Sequence, residues 1–201
     1  TLPDFDAMSQ YEIKEYLNAI YSSLSISNRL GFFRTKDMNR QFRDNHVNGT
    51  IHSILWYMAR AEMKIVSIRN VRLTSSGRLE TSSSKEGIEV IYSDKGKEKK
   101  LYYFAYDLSN SNLSSNPRLF DFLESFGKHN VLVKSASYLM HNSSFSIIRE
   151  YLMNTSHLVV QDPSGIPYRK LVAAGCSVDL HGTYTRPISL FSGYSQSSLK
   201  E

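Results

Sequence analysis

Apolar residues recur at helical spacing through the first third of the chain and then change to strand-like patterns. Tyr11, Tyr16, Leu17, Ile20, Tyr21 and Leu24 predict an amphipathic helix over residues 9–24, with Ser9 placed as its N-cap. A second helix is expected from Thr35 to Asp44. A third is expected from Thr50 to Met63, where Ile51, Ile54, Leu55 and Met58 mark a face that a core could cover. Ile65, Ile68, Val71 and Leu73 then suggest a strand, Arg78 to Thr81 a short one and Gly87 to Tyr92 another. Asp94-Lys95-Gly96-Lys97 supplies turn chemistry before Lys100 to Tyr106, so the last two strands are expected as a hairpin within an antiparallel meander. The serine-rich piece Thr81–Ser84 and the lysine-rich tip Lys95–Lys100 read as exposed loops.

Beyond the polar stretch Asp107–Asn116, Pro117 sits where a helix would start. Leu119, Phe122, Leu123 and Phe126 form its stripe, and Gly127 ends it. From there the order is strand (Val131–Lys134), helix (Phe145–Met153), strand (His157–Gln161), helix (Tyr168–Ala174, closed by Gly175) and strand (Ser177–His181). Such alternation is the signature of parallel strands joined by crossover helices. The expected fold is therefore α/β: a mixed sheet with an antiparallel hairpin and C-terminal β-α-β units, behind a helical N-terminal third. One soluble domain is expected over residues 1–201, divided as helical 1–63, hairpin 64–106, β-α-β units 117–191 and a polar, frayed tail 192–201.

Composition changes this picture little. Over 201 residues, 41% apolar and 12% aromatic content is enough to build a core, which excludes global disorder. No apolar run approaches the roughly 20 residues that span a bilayer. The chain opens at Thr1 without a charged n-region and apolar h-region, as expected of a chain whose leader has been removed or trimmed. A single cysteine, Cys176, excludes an internal disulfide and reads as a buried structural thiol. The net charge of +5 resides almost wholly in the N-terminal half. Within it, Arg29–Arg43 interleaves basic residues with Phe32, Phe33 and Phe42. A solvated helix face explains this. A protein or anionic-surface partner engaged through Arg34, Arg40 and Arg43 explains it too, and nucleic acid is disfavoured.

Candidate chemistry lies at the C-terminal strand ends, where open α/β sheets bind ligands. Lys134, Ser135, Ser137, Tyr138 and His141 follow the first strand, Gln161, Asp162 and Ser164 the second, and His181, Tyr184 and Arg186 the third. A hydrolase would take Ser135 or Ser137 as nucleophile, His141 or His181 as base and Asp162 as the group orienting the base, because a hydroxyl needs a bonded imidazole to attack at neutral pH. The bland reading has Asp162 capping the following turn, Ser164 and Gly165 shaping it, and the histidines satisfying loop backbone. No Gly-x-Ser-x-Gly elbow occurs. No histidine pair has i, i+4 spacing, so no metal site is expected. Neither Gly-x-Gly-x-x-Gly nor a P-loop is present, so no cofactor is expected. Four glycosylation-type triplets begin at Asn48, Asn112, Asn142 and Asn154, as chance allows in a chain rich in Ser and Asn.

Five stretches carry a resemblance: Leu101–Phe104 with Asp107–Asn110, Lys134–His141, Phe145–Arg149, Gln161–Pro167 and Gly182–Ile188. Together they resemble a family of uncharacterised bacterial proteins over roughly residues 100–191. The resemblance implies kinship without an assigned reaction, and its members often look exported or envelope-associated. At Pro163 this chain departs from the acidic residue that the pattern implies after Asp162. The expectation is an exported binding or interaction protein without catalytic activity, with a hydrolase-like enzyme at the strand ends as the alternative.

Overall fold

The computed structural model describes residues 5–30, 49–83, 86–104, 106–133, 135–182 and 189–196. Helix α1 (Gln10–Leu30) starts where its cap requires. Ser9 Oγ accepts from Glu12 N at 3.3 Å, and the Glu12 carboxylate accepts from Ser9 N at 2.8 Å and from the Ser9 hydroxyl at 2.7 Å. This reciprocal box satisfies donors that the first turn leaves orphaned. The buried line of α1 differs from the expected one. It runs through Ile13, Tyr16 and Ile20, while Tyr11, Leu17 and Tyr21 are exposed. Tyr11, Leu17 and Tyr21 lie on a flank of the apolar stripe that no described residue covers. The helix expected at residues 35–44 lies outside the described residues.

Helix α2 (Gly49–Arg60) buries Ile51 and Met58, with Ile54 and Leu55 half-buried between them, as their i, i+3, i+4, i+7 spacing dictates. It ends in a Schellman turn. Glu62 takes a left-handed φ of 58°, and Met63 N donates back to Met58 O at 3.0 Å. Four strands follow: β1 (Lys64–Leu73), β2 (Leu79–Thr81), β3 (Gly87–Asp94) and β4 (Lys97–Phe104). They form an antiparallel sheet in the order β2-β1-β3-β4. Ile88, Val90 and Tyr92 alternate onto one face, where they meet Ile51 and Met58 together with Met63, Ile65, Ile68, Leu101 and Tyr103. Each such aliphatic side chain contributes about 1.5–3 kcal/mol when fully buried.

The β3–β4 hairpin forms as its turn chemistry demands. Lys95 and Gly96 have φ of 50° and 78°, the two left-handed positions of a type I′ loop. The strand order corrects the expected meander. β2 pairs back onto the outer side of β1, so β1 is the neighbour of β3. Only three residues long, β2 serves as a short edge.

The described residues fall into two compact units: residues 1–72 with 79–106, and residues 73–78 with 107–201. The second unit begins with a helix that the sequence reading took for loop, α3 (Asn110–Ser115). Ser109 caps it, and Asp107 accepts from Ser109 N at 2.9 Å. Helix α4 (Arg118–Glu124) follows Pro117 and buries Leu119 and Phe122. The turn Leu73–Arg78 belongs to this unit. Leu73 O accepts from Arg118 at 3.0 Å, and Gly77 leaves no room for a Cβ, which would lie 2.4 Å from that of Asp121.

Strand β5 (Asn130–Val133), helix α5 (Ser146–Thr155) and strand β6 (Leu158–Gln161) make one β-α-β unit, with β5 and β6 parallel and in register from Asn130↔Leu158 to Val133↔Gln161. Helix α6 (Tyr168–Ala173) ends at Gly175, whose φ is 74°. The expected third strand does not form. Ser177–His181 offers only two apolar side chains, of which Val178 is half-buried and Leu180 is exposed, so no face exists to hold it in a sheet. Cys176 is half-buried rather than buried. Among the described residues, no helix is long and apolar enough to cross a membrane.

Candidate functional site

The carboxyl ends of β5 and β6 lie side by side because the strands are parallel and in register, which brings Ser135 and Asp162–Ser164 together. Gln161 closes the loop after β6 like a short piece of ladder: its Oε1 accepts from Ile166 N at 2.8 Å and its Nε2 donates to Ile166 O at 2.7 Å. Gly165 is required there, since a Cβ would stand 2.5 Å from that Gln161 oxygen. Asp162 Oδ1 accepts from Ser164 N at 2.9 Å and from the Ser164 hydroxyl. Ser164, buried, accepts in turn from Ser135 N at 3.4 Å and so ties the two strand ends. Ser135 Oγ accepts from Met140 N at 3.1 Å.

The segment after Ser135 is two 3-10 turns merged across a kink, Ala136–His141, in which Ser137 and Tyr138 have φ of 50° and 56°. Left-handed backbone at two successive residues other than glycine costs on the order of 1–3 kcal/mol each, so the surroundings must hold it. They do so through rings. Tyr138 stacks on Tyr194 at 5.2 Å and 7°, and meets His141 edge-on at 5.3 Å and Phe191 at 5.5 Å. Burial, and then the charge of Asp162, push the Tyr138 hydroxyl up from its ordinary range.

His141 bonds to loop backbone. Its Nε2 lies 3.0 Å from Pro163 O, and a carbonyl only accepts, so Nε2 carries the proton. Burial lowers its pKa below 6.5, the Pro163 bond opposes this, and Arg149 and Arg169 lower it further. Pro163 O also accepts from Gln196 Nε2 at 3.0 Å, while Gln196 Oε1 accepts from Tyr168 N at 2.7 Å. The tail through Gln196 is therefore docked by ring and amide contacts, where a frayed tail was expected.

The strand ends thus gather Ser135, Tyr138, His141, Gln161, Asp162 and Ser164 of the expected set. Ser137 and His181 are exposed, and His181 has no third strand to place it. Lys134, Tyr184 and Arg186, like Arg34, Arg40 and Arg43, lie outside the described residues. Three contributors escaped the sequence reading. Gln196 sits in what read as a polar tail. Asn110 caps α5 from another helix, its Oδ1 accepting from Ile147 N at 3.1 Å and its Nδ2 donating to Ser146 Oγ at 3.0 Å. Arg149, only 7% exposed, donates from Nη1 to Met140 O at 2.7 Å and to Asn142 O at 2.6 Å. Its position was legible, because it lies between Ile148 and Leu152 on the buried face of α5.

This arrangement holds loops with its polar groups. Among the described residues no serine hydroxyl is hydrogen-bonded to His141, the Ser-His contact a hydrolase would need; its Nε2 serves Pro163. Among the described residues, no three His, Cys, Asp or Glu side chains gather to hold a metal ion. Comparison of the chain with protein-family models, curated proteins and solved structures found no match.

Proposed function

We propose that the protein is an exported bacterial binding or interaction protein that works through the β5/β6 strand-end surface and catalyses no reaction there. The observation that carries the reading is that His141 bonds through Nε2 to Pro163 O and, among the described residues, to no serine hydroxyl. Asp162 and Ser164 support it, since Asp162 Oδ1 accepts from the Ser164 amide and hydroxyl and so closes its own turn. A preformed surface held by such a network, with Tyr138 and Tyr194 stacked beside it, suits recognition without reorganisation. Export and bacterial origin rest on the resemblance over residues 100–191.

The test is turnover of an activated ester such as p-nitrophenyl acetate by the full chain between pH 6 and 8. The expected result is a rate equal to buffer and unchanged by Ser135→Ala. Turnover abolished by both Ser135→Ala and His141→Gln would establish the hydrolase instead.

A further inference from the structure

Arg149 is a buried cation that no described carboxylate answers. Among the described residues no acidic group lies within ion-pair distance of it, and both of its hydrogen bonds leave from a single nitrogen, Nη1, to the Met140 and Asn142 carbonyls. Glu150, next in sequence, is exposed, and its field on the guanidinium is secondary to the effect of burial. Buried charges in proteins are ordinarily paired, because two carbonyl dipoles offset only part of the loss of water. A guanidinium has five N–H donors in a planar fork. Those on Nε and Nη2 bond to no described residue and are not among the fully buried atoms left without a partner, so this edge of the fork opens to solvent.

The surroundings carry the same sign. Arg149 holds the carbonyls on either side of His141, and Tyr168, next to Arg169, is tied through Gln196 to the Pro163 carbonyl that His141 bonds. The three groups therefore share one locality beyond β5, where both arginine charges act on His141. Arg169 is exposed and His141 is half-buried, which places that locality within reach of solvent. Tyr138, edge-on to His141, borders it.

We propose that this locality is a binding site for an oxyanion, the carboxylate or phosphate group of a small ligand. The anion takes the free edge of the Arg149 fork, with Arg169 supplying a second positive charge from the surface. Arg149 is suited to it: its position is fixed by the two carbonyls, and a planar fork matches two oxygens of one anion. The inference deepens the binding reading above by naming the ligand chemistry.

The probes are sodium phosphate and sodium acetate, titrated separately into the full chain against sodium chloride at matched ionic strength. The readouts are thermal unfolding and the Arg149 Nε–H resonance. The expected result is a saturable rise in Tm with either anion, accompanied by a saturable shift of that resonance. The apparent Kd should weaken about tenfold in Arg149→Lys, which keeps the charge but loses the fork, and by a smaller factor in the surface variant Arg169→Gln. Phosphate saturating at lower concentration than acetate would mark a phosphate-bearing ligand, and the reverse a carboxylate. The resonance and Arg169→Gln keep the test decisive if Arg149→Lys does not fold. A response no greater than that of chloride, or one unchanged in both variants, would overturn the site and leave it a loop clamp. Ester turnover would instead sink the non-catalytic reading while a saturable anion response stood.

Discussion

At the scale of single residues, burial and partnership decide which charges matter. Glu89 is 1% exposed in the middle of the four-stranded sheet, opposite Arg69 on β1 and Tyr102 on β4. Arg69 Nε approaches one carboxylate oxygen to 2.6 Å as a charge contact, without the alignment of a hydrogen bond. Burial alone would raise the Glu89 pKa, but Arg69 and the Tyr102 hydroxyl together with Lys100 outweigh it and hold the carboxyl below its ordinary 4.5. A carboxyl with a lowered folded-state pKa contributes stability that is full above the ordinary value and lost as pH falls through the folded one. Glu89→Gln should therefore cost about 1–3 kcal/mol at pH 7 in urea unfolding, with the difference shrinking near pH 3. A difference of the same size at both pH values would contradict the ion-pair account. None of this was legible in the sequence, where Glu89 is one acid in an apolar strand and the register that pairs it is a long-range property.

At the scale of elements, what the chain wrote locally came through and what depended on distant partners did not. Ser9 with Glu12, Lys95-Gly96 and Pro117 each carry their own backbone logic, and α1, the hairpin and α4 begin or turn there. The second and third apolar runs looked alike in sequence. β6 formed because β5 pairs with it, while Ser177–His181 had no partner strand and no inward face. The buried line of α1 is narrower than its apolar stripe, because the stripe is wider than the face a core can cover. Helix α3 went unseen because Asn110–Ser115 holds a single apolar residue, Leu113, and its cap is the only local signal. That helix earns its place through Asn110, which caps α5 from 37 residues away. Asn110→Ala should cost about 0.5–2 kcal/mol in chemical denaturation of the full chain, as removal of a helix cap does. A change within the few tenths typical of a surface substitution would contradict that role.

At the scale of the whole molecule, the chain passes between its two units more than once, and the excursion Leu73–Arg78 is part of the second. Residues 107–201 made alone would lose the carbonyl that Arg118 holds and the turn seated on Asp121. In such a fragment the α4 amides should exchange with solvent at least about tenfold faster than in the full chain, and equal rates would show that the excursion is dispensable. The candidate site lies wholly within that unit. Its polar residues were readable as a set because parallel strands put their carboxyl ends together, and their roles were not, because hydrogen-bond direction is set by the loops. The central claim is that these groups build a binding surface in place of a catalytic pair. Nitrogen-15 NMR of the His141 ring in the intact chain tests it most directly. The account predicts a neutral ring protonated at Nε2, with a pKa below 6.5 that is unmoved by Ser135→Ala. A ring protonated at Nδ1, whose Nε2 accepts from a serine hydroxyl and whose pKa shifts in Ser135→Ala, would contradict it.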